Sequence, residues 1–202
     1  MIKKISIGID EAGRGPLAGP MVAAGVVFEN TKKQREIFKG IKESKSLTPI
    51  KREALFSPII KNFIWSVAVF DNNFIDRYGI QAANILLFHE VAEDLRNKIK
   101  QPAEGADRSG SINIIADYVG GADRSLKDVV FHKKGDVQFK EIAAASIIAK
   151  VYRDQIMMSI NKNFPDYNFN LHKGYGTAKH FDKINKHGLS SVHRKTFLKK
   201  YL

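Results

Sequence analysis

The spacing of apolar residues changes period several times along the chain. Ile5, Ile7 and Ile9 alternate with small residues, which predicts a strand. Met21 to Phe28 is an apolar, β-branched run bounded by Pro20 and Asn30, a second strand whose short link to the first predicts an antiparallel neighbour. Thr31 to Lys42 reads as a helical or irregular connection. Thr48-Pro49 reads as the N-cap and first residue of a helix running to about Asn62. Phe63 to Asp71 is a third strand, and Ile80, Ala83, Leu87, Val91 and Leu95 mark an amphipathic helix ending near Ile99. Ile112 to Val119 is a continuous apolar run of the kind that buried parallel strands carry. Asp128 to His132 reads as a short fifth strand, and Val137 to Lys162 as a long helix with Asp136 at its N-cap. Thr177 is placed to cap a further helix near the C-terminus.

Composition narrows the class. A chain of 202 residues has ample length for one domain with a core, or one domain and a small appendage. There is no cysteine, so neither a disulfide framework nor a thiolate metal site is available. No apolar run is long enough to span a bilayer, and Met1 to Lys4 lead straight into the first strand, so a cytoplasmic protein without a leader is expected. The 33 basic side chains outnumber the 21 acidic ones, giving a net charge of +12. Such an excess favours a polyanionic partner, most simply nucleic acid. An anionic membrane surface is the competing reading, but no basic amphipathic anchor supports it.

The candidate chemistry clusters at Asp10-Glu11-Ala12-Gly13-Arg14-Gly15. Two carboxylates offer hard oxygen ligands for Mg²⁺ or Mn²⁺. The glycine N–H groups and Arg14 can grip phosphate oxygens. Successive strand side chains point to opposite faces, so both acids would meet one ligand only if the chain turned just there. No Gly-Lys-Ser/Thr follows, which excludes a P-loop, and Gly19 falls one residue late for a dinucleotide fingerprint. Asp117 near the end of its strand sits where α/β folds commonly bind ligands, with Asp123 as its local competitor. Ser44-Lys45 reads as a solvated helix leader, and His89 and Glu90 as surface or packing residues. Gln101 to Gly110 is the best candidate for a mobile loop, and the echo Gly-Ala-Asp-Arg-Ser at 105–109 and 121–125 is too short to be a structural repeat. The small residues of Glu141 to Lys150 allow a helix to pack close to a sheet, and Asp154 reads as one half of an ion pair.

The run Asp-Glu-Ala-Gly-Arg-Gly-Pro-Leu-Ala-Gly-Pro at 10–20 resembles the first motif of the ribonuclease HII family, the type 2 ribonucleases H. The resemblance continues in order through Ser44-Lys45, Asp117, Lys134-Gly135-Asp136, the small-residue helix, Gly174-Tyr175-Gly176 and Ser191-Val192-His193-Arg194-Lys195-Thr196-Phe197. It covers residues 5 to about 197, and Arg14 between two glycines favours ribonuclease HII over HIII. Family members carry Asp-Ser-Lys-Lys-Leu where this chain has Glu43 and Ser46, which leaves Lys45 in place and weakens position 46.

The resemblance implies a ribonuclease-H-like α/β fold: a mixed five-stranded sheet flanked by helices, with a core over 1–165 and a helical substrate-binding segment over 166–202 of the same compact unit. It implies an endonuclease acting on RNA–DNA hybrids and on single ribonucleotides in duplex DNA, leaving 3′-hydroxyl and 5′-phosphate ends. Asp10, Glu11, Asp117 and Asp136 would hold two Mg²⁺ or Mn²⁺ ions, with Glu141 nearby. Gly13, Arg14, Gly15, Lys45 and Arg194 would contact phosphate, within a basic face formed by the C-terminal tail. Tyr175 would read the DNA–RNA junction through a ribose 2′-OH, the group that separates RNA from DNA. A monomer without a membrane partner is expected.

Overall fold

The structure is a computed structural model and describes residues 5–42, 48–100, 112–118 and 126–201. Its centre is a five-stranded sheet in the order β3-β2-β1-β4-β5. Strands β1 (Ile5–Ala12), β2 (Met21–Phe28) and β3 (Ile64–Phe70) form an antiparallel meander. Strands β4 (Ile112–Asp117) and β5 (Val129–His132) add in parallel beyond β1. The register pairs Ile9 with Ala116, so Asp10 and Asp117 are the next residues along two parallel neighbours.

Helices cover both faces. One carries α4 (Ile80–Lys100), whose Ala83, Leu87, Val91 and Leu95 pack on Ile5, Ile7 and Ile9. The other carries α6 (Lys140–Asn163), flanked by α1 (Lys32–Lys42) and α2 (Pro49–Asn62), over Val22, Ala24 and Val26. Thr48 caps α2 as its sequence predicts, its hydroxyl accepting from Lys51 N–H at 3.3 Å. The apolar alternation of β1 decides this layering: odd positions meet α4, and even positions meet α6. Gly8 is the closest approach, since a Cβ there would lie 2.2 Å from the Glu141 carbonyl carbon.

Two expectations need correction. A short helix α3 (Asn72–Tyr78) precedes α4, capped by Asp71, whose carboxylate accepts from Phe74 N–H at 2.8 Å. The expected single helix from Val137 is instead α5 (Gly135–Gln138) and α6, separated by Phe139 in extended conformation. Asp136 is therefore not an N-cap. It lies inside α5, and the capping position belongs to Lys134 at φ 55°.

The C-terminal part holds α7 (Phe169–His172), α8 (Ala178–His187) and three short 3₁₀ turns. Thr177 caps α8, accepting from His180 N–H at 3.3 Å. The last turns are tied to α3: Lys195 and Thr196 N–H donate to Asp76 at 2.8 and 3.0 Å, and Asn72 Nδ2 donates to Ser191 O at 2.9 Å. Lys45, the 101–110 loop, Asp123 and both copies of the pentapeptide fall outside the described residues. Among those described, no helix is long and apolar enough to cross a membrane.

The Gly8 contact predicts a steep local penalty. Gly8→Ala should lower the urea midpoint by the equivalent of about 3 kcal/mol, because backbone rather than a flexible side chain opposes the methyl group. Gly15→Ala, with open space around it, should change stability by less than about 1 kcal/mol. Comparable midpoints for the two variants would contradict the packing.

Candidate active site

The acids gather at the carboxyl ends of β1 and β4. No turn separates Asp10 from Glu11, because β1 continues through Ala12 and the chain first turns at Gly13, φ 101°. The two side chains therefore leave on opposite faces. Asp10 points to the α6 side, where Ser146 stabilises its charged form. Glu11 points to the α4 side, where the Asn84 amide lies close enough to favour its charged form although no hydrogen bond between them is formed. Asp117 is near enough to raise the proton affinity of both. Its Oδ1 also accepts from Gly135 N–H at 2.7 Å, so it holds the start of α5.

Burial dominates the electrostatics here. Asp10 is 6% exposed, and desolvation, then repulsion from Glu11, pushes its carboxyl well above the ordinary range. Desolvation likewise pushes Glu11 up to about 7, partly offset by Arg14, with Asp117 adding to the rise. Arg14 Nη1 stands 3.8 Å from Glu11 Oε1. Glu11 Oε2 is buried without a hydrogen-bond partner, and so are both amide atoms of Asn84. Orphaned buried oxygens of this kind are costly unless something cationic arrives.

Among the described residues, no three His, Asp or Glu side chains already converge to enclose an ion. The donors nonetheless fit in kind: hard carboxylate oxygens, one of them unpartnered, in a site that penalises negative charge. Asp136 is exposed, next to the Gly135 that Asp117 holds, and is not drawn into this cluster. Glu141 is half-buried in the first turn of α6, above Gly8.

Beside the acids lies the loop 13–20, which two buried guanidinium groups hold. Arg153 donates to the carbonyls of Pro20, Lys173 and Ala18 at 2.9, 3.0 and 3.2 Å. Arg194 donates to Gly13 at 2.7 Å, Arg14 at 3.0 Å, Gly19 at 2.9 Å and Pro20 at 3.1 Å. Arg194 is 0% exposed, and burial beside Arg153 pushes it down to about 9. It cannot contact substrate phosphate from there, which corrects the sequence expectation. It shapes the loop 13–20 from within. His180 and His193 are also buried and leave the expected basic face, whereas Lys179, Lys186, Lys195, Lys199 and Lys200 remain exposed. Gly13 is buried, and a Cβ on it would meet Arg153 Nε at 2.3 Å, while Gly15 and the Arg14 side chain face outward.

Tyr175 stands at the other side of this loop. Leu17 N–H donates to Gly174 O at 2.8 Å, which stitches the two segments together. The Tyr175 side chain is 41% exposed, with Lys150 Nζ 5.6 Å and Arg153 Cζ 5.7 Å from its ring centroid. Lys150 also pairs with Asp154 at 2.7 Å, the ion pair expected for that aspartate.

Sequence reasoning passed over Asn84 and Arg153. Both carry a readable signal: a polar residue on the buried stripe of an amphipathic helix. Asn84 falls between Ile80 and Leu87 on the apolar face of α4.

Comparison with known proteins points to one family. A sequence model of ribonuclease HII matches residues 7–200. The chain is 42% identical over 193 residues to ribonuclease HII of Rickettsia canadensis, spanning 96% of this chain and 89% of that one. It is also 42% identical over 197 residues to ribonuclease HII of Fusobacterium nucleatum, spanning 97% and 86%. Among solved structures, ribonuclease HII of Archaeoglobus fulgidus, in complex with PCNA, superposes with a TM-score of 0.76 at 26% identity, covering 94% of this chain and 93% of that one. A ribonuclease HIII solved with Mn²⁺ shares the fold, with a TM-score of 0.73 at 22% identity over 92% of this chain and 63% of that one.

Two measurements follow from the site. The native state holds a proton on Glu11 up to about pH 7, whereas the unfolded chain releases it near the ordinary 4.5. The native state thus binds more protons across that window, and chelator-treated protein should lose thermal stability as pH rises through it. Glu11→Gln should flatten that slope and raise Tm at pH 7; an unchanged slope would count against the buried acid. Arg194→Lys should cost about 3 kcal/mol in urea unfolding, because an ammonium group cannot reach four carbonyls that a planar fork satisfies. A loss confined to substrate affinity would restore the phosphate-contact reading.

By sequence, fold and the acids at the ends of β1 and β4, this chain belongs to the ribonuclease HII family, endonucleases of the ribonuclease H type.

Proposed function

We propose that this protein hydrolyses the RNA strand of RNA–DNA hybrids and cuts duplex DNA on the 5′ side of a single embedded ribonucleotide, leaving 3′-hydroxyl and 5′-phosphate ends. The observation that carries the reading is the trio Asp10, Glu11 and Asp117 at adjacent strand ends, with Glu11 Oε2 buried and unpartnered beside an arginine-bearing glycine loop. Asp10, Glu11 and Asp117 would hold Mg²⁺ or Mn²⁺, joined by Asp136 when substrate brings the second of two ions. Bound there, the ions supply a nucleophilic water and offset charge on the leaving 3′-oxygen.

The chain's own groups do the rest. The loop 13–20, held from behind by Arg153 and Arg194, presents Gly15 and Arg14 to a phosphate. Tyr175 offers a phenol O–H to the ribose 2′-OH and a ring face to the neighbouring deoxyribose. The segment 166–202 would bring this tyrosine and its exposed lysines over the duplex, with backbone contacts that add affinity and salt sensitivity rather than base preference. A monomer working in the cytoplasm on such substrates fits this reading.

The test uses end-labelled duplex with one ribonucleotide, an all-RNA hybrid and an all-DNA control, each with Mg²⁺ or Mn²⁺. Asp10→Asn should lower cleavage by at least about a thousandfold while leaving hybrid binding within a few-fold. Tyr175→Ala should lose more on the single ribonucleotide than on the hybrid. Cutting of the all-DNA control, or strong turnover by Asp10→Asn, would overturn the proposal.

A further inference from the structure

A line of hydrogen bonds beneath Tyr175 has its direction fixed at both ends. At one end Ser190 N–H meets His193 Nδ1 at 2.9 Å, with Ser190 Oγ at 2.8 Å from the same nitrogen. A backbone N–H only donates, so Nδ1 of His193 accepts and carries no proton. The proton of the neutral ring then sits on Nε2, which lies 3.1 Å from His180 Nε2. Two N–H groups cannot face each other there, so His180 Nε2 accepts and its proton sits on Nδ1. That nitrogen lies 2.9 Å from the carbonyl oxygen of Tyr175, which only accepts. Donor and acceptor alternate without conflict from Ser190 to Tyr175, and a second proton on either imidazole would break the line.

The surroundings keep both rings neutral. His180 is 0% exposed and His193 1%. Burial pushes each down to about 4, and neighbouring imidazoles push the same way. His172 stacks on His180 with centroids 4.3 Å apart and follows the same logic: its Nδ1 accepts from Gly174 N–H at 3.2 Å, and its Nε2 donates to Tyr167 O at 2.8 Å. Phe169 closes the pocket edge-on to His180 at 5.5 Å.

The backbone of Tyr175 is thereby fully committed. Its N–H donates to His172 O at 2.9 Å, and its carbonyl accepts from both Thr177 N–H and His180. Apolar residues in place of the histidines would fill the volume, but they would leave the Ser190 N–H and part of the Tyr175 carbonyl unsatisfied. We propose that His180 and His193 are positioning residues, a fixed-tautomer relay from the Ser190 turn that sets the Tyr175 backbone and so the place of its phenol. This rests on the reading of Tyr175 as the group that meets the substrate ribose.

Nitrogen-15 NMR of the full-length protein at pH 7 tests the relay directly. His180 should appear as the Nδ1–H tautomer and His193 as the Nε2–H tautomer; a charged ring, or His180 as Nε2–H, overturns the proposal. Kinetics test what the relay does. His180→Phe should lower kcat/KM on the single-ribonucleotide duplex about tenfold, on the scale of one lost buried hydrogen bond. His180→Asn, which keeps an N–H near the Nδ1 position, should recover most of that. In a Tyr175→Ala background His180→Phe should add little. Fully additive losses, or no recovery by asparagine, overturn the positioning role. His193→Asn, which keeps an acceptor for Ser190 and removes the Nε2 donor, gives the same cycle should His180→Phe fail to fold. Wild-type protein that cuts hybrid but never the single-ribonucleotide duplex would sink the Tyr175 reading, and the tautomers alone would then decide the relay.

Discussion

Two buried guanidinium groups, with no carboxylate partner among the described residues, hold the loop 13–20 in shape. Taking a charge out of water is expensive, and a buried charge persists only where every donor finds an oxygen. Arg153 from α6 and Arg194 from the C-terminal turn meet that condition with main-chain carbonyls of residues 13–20 and 173. Gly13 and Gly19 sit at positive φ and carry no Cβ because arginine and Met157 side chains fill that space. The sheet, the long helix and the tail thus converge on one loop. Around it, Gly19 N–H donates to Val192 O at 2.9 Å and Arg194 N–H to Leu17 O at 2.8 Å, so two segments nearly a chain length apart behave as one ribbon.

The layered core was legible from the apolar pattern. The triplet Ile5, Ile7, Ile9 and the helical stripe from Ile80 to Leu95 each announce their period, and they pack on each other. The caps at Thr48 and Thr177 were legible too, because a hydroxyl before a helix has one obvious use. The break at Phe139 was not. Nothing in the local sequence disfavours helix there, yet Phe139 stands extended between α5 and α6. The start of α5 is held by Asp117, eighteen residues before Gly135, and a contact of that range leaves no mark in a local window.

The basic residues taught the opposite lesson. Read as a string, His180, His193 and Arg194 belong with the lysines around them as a cationic face. The fold sorts them by what each head group can satisfy. A guanidinium can spread five N–H donors over several carbonyls, and a neutral imidazole can donate at one nitrogen and accept at the other, so both survive burial. An ammonium has no such geometry, and the lysines stay outside. Charge counting therefore picked out the lysines that stay exposed on the tail while misplacing the residues that support it from within.

The acids themselves show why a strand end is a demanding place for a metal-dependent chemistry. An uninterrupted strand sends Asp10 and Glu11 to opposite faces, and β4 stops at Asp117 beside Asp10 while β1 runs two residues further, so the sheet edge opens just where the two acids stand. Burial raises the proton affinity of each, so in the absence of a cation the cheapest way to neutralise the pair is a proton. On the proposed reading a divalent ion would displace that proton and draw in Asp117, which is already engaged with the start of α5. Proton release, ion capture and the seating of α5 would then be coupled at one carboxylate. On the proposed reading, Asp136 enters the site only through that coupling, because it rides on the very turn that Asp117 holds.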